Sequence, residues 1–109
     1  MTMLEAIEAR GWSVTEYETH GSPEPFLLLE WWSPKGEDIC IETTRGTLSA
    51  DLLREYDSYD VDEHVDLWAP GRGKRGVPSS YAALVEDAEA IGEELHALSL
   101  IARGQNPQG

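Results

Sequence analysis

The sequence predicts an α+β domain, a three-stranded antiparallel meander with helices in the order α-β-β-β-α-α-α. Three observations predict it. Runs rich in β-branched and aromatic residues occupy 12–44 and are separated by short connections containing Gly and Pro. After Gly46 the apolar period changes from two residues to about 3.6. Tyr81, Leu84, Ala88, Ile91, Leu95, Leu98 and Ala102 then follow at steps of three and four, which is one apolar stripe along a long helix.

Each element has its own signals. Residues 3–9 read as a first helix with Leu4 and Ile7 facing inward, and Gly11 stands where it ends. Residues 12–19 read as a strand, broken by 20–25 with Gly21, Pro23 and Pro25. Phe26–Trp32 is the second strand, 33–36 a turn, and Asp38–Thr44 the third strand. Leu48, Leu52, Leu53 and Tyr56 mark a helix with Thr47 or Ser49 as its N-cap. Asp60 and Glu63 have capping-box spacing and open a helix carrying Val61, Val65 and Trp68, stopped near Pro70 and Gly71. Pro78, Ser79 and Ser80 start the last helix, and Arg103 and Gly104 close it. The expected organisation is one domain over 1–104 and a disordered tail over 105–109.

The central strand is apolar on both faces. Leu27, Leu29 and Trp31 point one way, and Phe26, Leu28 and Trp32 the other, with Glu30 interrupting. Four helices suffice to cover both faces, and that is the arrangement expected. A bare second face would make Trp32 and Phe26 partner contacts, because Trp is enriched at binding hot spots.

At 109 residues, 40% of them hydrophobic, the chain can bury a core without disulfides or metal. Charge sets it apart: 21 acids against eight bases give a formal net charge of −13. A field of that sign repels phosphate backbones and anionic lipid, so neither nucleic acid nor membrane is an expected partner. A protein with a basic surface is. The acids concentrate in two segments: Asp57, Asp60, Asp62, Glu63 and Asp66, then Glu86, Asp87, Glu89, Glu93 and Glu94 off the apolar stripe. These ten are the candidate partner-binding surface. Acids three or four apart on a helix lie roughly 5–6 Å from one another, a spacing that imitates a row of phosphates. The competing explanation is that the charge serves solubility alone.

No motif carries chemistry. GRGKRG at 71–76 matches the glycine-rich dinucleotide pattern in letters, but a helix precedes it where a strand is needed. The more economical reading is an interhelical loop holding three of the eight bases. The acids of 57–66 lack the central glycine and ligand intervals of a calcium loop. His20, His64 and His96 are scattered, without zinc spacing. A triad built from Ser79 or Ser80 with His64 finds no nucleophile elbow or oxyanion motif to support it. Cys40 is the single cysteine, and Asp38 and Glu42 share its strand parity, so a raised thiol pKa is expected. No cofactor and no metal is expected. The N-terminal residues lack the basic and apolar segments of a signal peptide, and no apolar run approaches a membrane span, so the cytoplasm is the expected address.

Two resemblances add context. The element order resembles, in topology only, the double-stranded-RNA-binding domain. That family grips RNA with basic side chains, where the terminal helix here has acids, so no function carries over. The stretches FLLLEWW at 26–32, DVDEHVDLW at 60–68 and GVPSS at 76–80 are similar to uncharacterised small acidic accessory proteins of plasmids and integrative elements of gut bacteria. Small acidic proteins on such elements include inhibitors of host restriction or CRISPR nucleases, so the resemblance implies a setting and no mechanism. The function expected is a non-enzymatic protein-binding module acting through its acidic surface, with a nucleic-acid-mimicking inhibitor of a defence nuclease as one specific form. The alternative is a structural or accessory homodimer.

Overall fold

The computed structural model describes residues 2–18, 21, 23–71 and 76–105. The elements are α1 (Met3–Glu8), β1 (Ser13–Tyr17), β2 (Phe26–Trp32), β3 (Asp38–Thr44), α2 (Leu48–Ser58), α3 (Val61–Trp68), a 3₁₀ turn (Ala69–Gly71) and α4 (Tyr81–Ala102). The fold is α+β in the order the periodicity predicts. The second and third strands have the bounds read from the sequence, whereas α1 and β1 are shorter than expected. Trp12 leaves the strand because its ring is needed in the core, where it is buried.

Local chemistry explains the ends. Glu5 N–H donates to Thr2 Oγ1 at 3.1 Å and Thr2 N–H to Glu5 Oε1 at 2.8 Å, a reciprocal box that opens α1. Asp60 caps α3 by accepting from Glu63 N–H, and Ser80 caps α4 by accepting from Ala83 N–H. Thr47 sits at the cap position of α2, but its hydroxyl turns to Asp51 instead of a backbone amide. At the far end of α4, Gly104 takes φ 76°, Gly104 N–H bonds Ile101 O, and Gln105 N–H bonds Leu100 O. This is a Schellman closure, which requires a left-handed residue after the cap. Residues 106–109 of the expected tail lie outside the described residues.

The sheet runs β1-β2-β3, antiparallel throughout. Val14 stands opposite Leu29, and Leu29 opposite Ile41, so these side chains share one face. On that face Leu29 and Ile41 join Ile7, Trp12, Leu52, Ile91 and Leu98 in the main core. Burying each such aliphatic side chain contributes roughly 1.5–3 kcal/mol relative to leaving it in water. Val65, Val77, Leu84 and Ala88 form a second cluster that fastens α3 to the first half of α4. Tyr81, expected at the head of the apolar stripe, is instead exposed one turn beyond Leu84.

The expectation that helices cover both sheet faces is corrected. Phe26 is 42% and Trp32 61% exposed on the other face, where no described element covers them. The connections account for this. Only Tyr59 and Asp60 separate α2 from α3, and only 9–12 separate α1 from β1, so neither link can carry a helix around the sheet edge. Consequently α1, α2 and α4 share one core on the Leu29 face, and α3 packs on α4 rather than on the sheet.

Candidate functional site

The open face of the sheet is built by strand register. Tyr17 and Thr44 flank Phe26, Thr15 and Glu42 flank Leu28, Ser13 and Cys40 flank Glu30, and Asp38 stands beside Trp32. Tyr17, Phe26 and Trp32 are all exposed, and Leu28 is half-buried between them. Exposed aromatic groups therefore stand at both ends of this face, Tyr17 and Phe26 at one and Trp32 at the other, with Leu28 and Glu30 between them and Asp38 and Glu42 alongside on β3. Exposed aromatic side chains beside carboxylates are a composition that suits a docking surface.

Cys40 lies among those carboxylates. Its thiol is 3.6 Å from Asp38 Oδ1 and 3.9 Å from Glu30 Oε2, and the three donor groups lie within 4.8 Å of one another. Partial burial, then the Asp38 and Glu30 carboxylates, push the Cys40 thiol up to about 11. At neutral pH it is a protonated hydrogen-bond donor to the carboxylates rather than a thiolate. Among the described residues this trio is the cluster of metal-ligating type, and it offers three ligands where a structural zinc site uses four.

The ten candidate acids separate into two groups. Asp57, Asp60, Asp62, Glu63 and Asp66 are exposed, as are Glu86, Glu89 and Glu93. Asp87 and Glu94 are not part of the surface: they are 1% and 8% exposed, which corrects their place in the candidate set. Asp87 accepts from Ser33 Oγ at 2.6 Å and from Lys35 N–H at 2.9 Å, fastening the β2–β3 turn to α4. Glu94 accepts a two-pronged pair from Arg10 at 2.9 and 3.0 Å and a bond from Trp12 Nε1 at 2.8 Å. It ties the α1–β1 connection to the same helix, and the Glu94 hydrogen bond raises the Arg10 guanidinium above its ordinary value. A spacing signal for both was present. Asp87 stands three residues after Leu84 and four before Ile91, and Glu94 three after Ile91 and four before Leu98. That spacing holds a side chain on the buried face.

The remaining three acids of α4, Glu86, Glu89 and Glu93, fall within about 60° of helical arc. Lys35 Nζ is 3.7 Å from Glu86. Among the described residues no salt bridge involves Glu89, Glu93 or the five acids of 57–66.

A groove of about 390 Å³ lies between α4 and the α2–α3 junction, and of the ten candidate acids it is lined by Glu89 and Glu93. Tyr56, Tyr59, Glu89, Gly92, Glu93 and His96 line it, with Val61 at one edge. Tyr59 is held by its hydroxyl, which donates to Ala88 O at 2.8 Å. Burial, then the charges of Glu37 and Asp87, push its phenol well above the ordinary tyrosine value, so it stays a neutral donor. Gly92 lets the ring approach closely: a Cβ there would stand 3.3 Å from Tyr59 Cε2, and the ring would have to shift by a few tenths of an ångström. The rings of Tyr56 and His96 are 5.1 Å apart. No reading of the sequence singled out this groove, because it is made by residues 28 to 40 positions apart in the chain.

The other candidate groups are occupied or out of view. His64 Nε2 lies 3.1 Å from the Glu37 carboxylate, and Ser80 serves as the α4 cap. Ser33, whose N–H bonds Glu37 O, points its hydroxyl at Asp87 and not at a histidine. His20 and the basic residues Arg72, Lys74 and Arg75 of the 71–76 loop lie outside the described residues. No described helix is long and apolar enough to cross a membrane. Comparison with protein-family models, with curated proteins and with solved structures finds no match to this chain.

Proposed function

We propose that this chain is a non-enzymatic binding module whose partner is a protein with a basic surface. The observation that carries it is the uncovered sheet face, where exposed Phe26, Trp32 and Tyr17 stand among the carboxylates of Glu30, Asp38 and Glu42. A partner bringing apolar groups to the aromatics and lysine or arginine to the carboxylates satisfies both parts. The net charge of −13 adds long-range attraction for such a protein and repulsion for nucleic acid and anionic lipid.

A more specific form is a nucleic-acid-mimicking inhibitor of a defence nuclease, of the anti-restriction or anti-CRISPR kind. Glu86, Glu89 and Glu93 support it, because their axial steps of roughly 4.5 and 6 Å approach the spacing of phosphates. The alternative, an accessory homodimer, draws on the same bare aromatic face. Symmetric pairing through that face would bring Glu30, Asp38 and Glu42 near their own copies, and like charges there oppose it.

Affinity capture from a bacterial lysate, at low and high salt, tests the proposal. The expected result is a basic protein retained at low salt, released at high salt, and lost with F26S/W32S. Competition by DNA for that partner, and weaker capture by E86Q/E89Q/E93Q, mark the mimic form. Light scattering that finds a dimer, made monomeric by F26S/W32S, replaces the proposal with the homodimer. Absence of any salt-sensitive basic partner sinks it.

A further inference from the structure

The groove between α4 and the α2–α3 junction has a composition that the general acidity of the protein does not explain. Its walls are the rings of Tyr56 and Tyr59, and its mouth carries Glu89 and Glu93. Neither glutamate has a basic partner among the described residues. Tyr59 is fixed in place by its bond to Ala88 O, so one wall exists before any ligand arrives. Gly92 leaves the floor open, where a methyl group would press on that ring. The groove, about 390 Å³, is shallow and open to solvent, so it suits one side chain laid along it rather than an enclosed ligand.

We infer that this groove is a site for a cationic side chain, an arginine supplied by the protein partner. Two carboxylates and two π faces attract positive charge and repel an anion. A guanidinium suits the place better than an ammonium. It is planar, stacks on aromatic faces, and presents several N–H groups to acceptors on one side. The groove has acceptors at its mouth and a prearranged ring, and among the described residues its lining holds no lysine or arginine, His96 being its one basic side chain. The site rests on the protein-binding reading above, and it adds an anchor point on the helical side of the molecule, separate from the sheet face.

The test uses the whole chain and needs no identified partner. The capped peptide acetyl-Gly-Arg-Gly-amide is titrated at pH 8 and low salt into ¹⁵N-labelled protein, beside the same peptide with citrulline, a neutral analogue of arginine. Saturable shifts are expected at the Gly92 amide and in the Tyr59 and His96 rings. Citrulline should bind about tenfold or more weakly, as loss of a cation from an aromatic and carboxylate site implies. E89Q/E93Q should weaken the arginine peptide about fivefold or more without disturbing the rest of the spectrum. Y56F should keep binding and Y56L lose it, which a merely structural role for the two glutamates would not produce.

Equal binding of citrulline, or shifts spread over α3 without saturation at Gly92, overturns the site. Spermidine that binds the groove more tightly than the peptide and displaces it overturns the assignment to a protein side chain. The two proposals fail separately. A groove that ignores the peptide, beside a partner still captured through Phe26 and Trp32, removes the groove alone. A groove that binds the peptide, with no partner captured, removes the protein-binding reading.

Discussion

Three buried carboxylates on or beside the core show how single residues hold this molecule together. Asp87, Glu94 and Asp51 each take a carboxyl group out of water, and short hydrogen bonds offset the cost of each. At Asp51, burial pushes the carboxyl up, but bonds from Thr43, Thr47 and Arg54 outweigh it, and the group is held below its ordinary value. Its contribution to stability is therefore present above the ordinary aspartate range and is lost as pH falls through the lowered value. Asp87 is the sharper case, because it joins a turn of the sheet to α4. D87A takes the acceptor from the buried Ser33 hydroxyl and from the part-buried Lys35 N–H. It should destabilise the protein by about 1–3 kcal/mol in urea unfolding. S33A/D87A should cost less than the two single changes summed, since the pair shares one bond.

At the scale of elements, α4 is the organiser. It touches α1, α2 and α3, and its residues enter both hydrophobic clusters. Such a helix needs a defined end, and Gly104 supplies it by adopting φ 76°. An L-residue with a Cβ pays about 1–2 kcal/mol for that conformation. G104A should therefore lower stability by roughly 1 kcal/mol while leaving the core spectrum unchanged, measured by denaturant unfolding and NMR. Loss well below that value would mean that the Schellman closure contributes little. The strand β2 has the opposite character: one face is core, the other holds Phe26 and Trp32 in water. Its two neighbours protect its backbone, so the exposed rings add no unpaired strand edge.

The whole molecule carries far more negative than positive charge, and the described salt bridges use only four of its eight bases. Self-repulsion among the remaining acids opposes the compact state, and salt screens it over a Debye length near 10 Å at about 0.1 M. Raising NaCl from about 0.02 to 0.5 M should raise the thermal midpoint by a few degrees, read by circular dichroism. A midpoint that falls instead would mean that the internal ion pairs of Glu94 and Asp51 outweigh the surface repulsion.

The element order, the bounds of β2 and β3, the cap at Asp60 and the apolar stripe of α4 were all legible in the sequence. Each follows from local steric and hydrogen-bond chemistry that acts within a few residues, and periodicity reports it directly. The inward turn of Asp87 and Glu94 was legible only in part. Their spacing placed them on the buried face, but which acids are buried depends on whether Ser33, Arg10 and Trp12 arrive to bind them. Tertiary structure alone decided that the helices gather on one side of the sheet, that Phe26 and Trp32 stay in water, and that Glu89 and Glu93 stand beside Tyr56 and Tyr59. The physical reason is common to all three. Periodicity shows which face of an element is apolar, whereas the partner of that face is set by connection lengths and by contacts between residues distant in the chain.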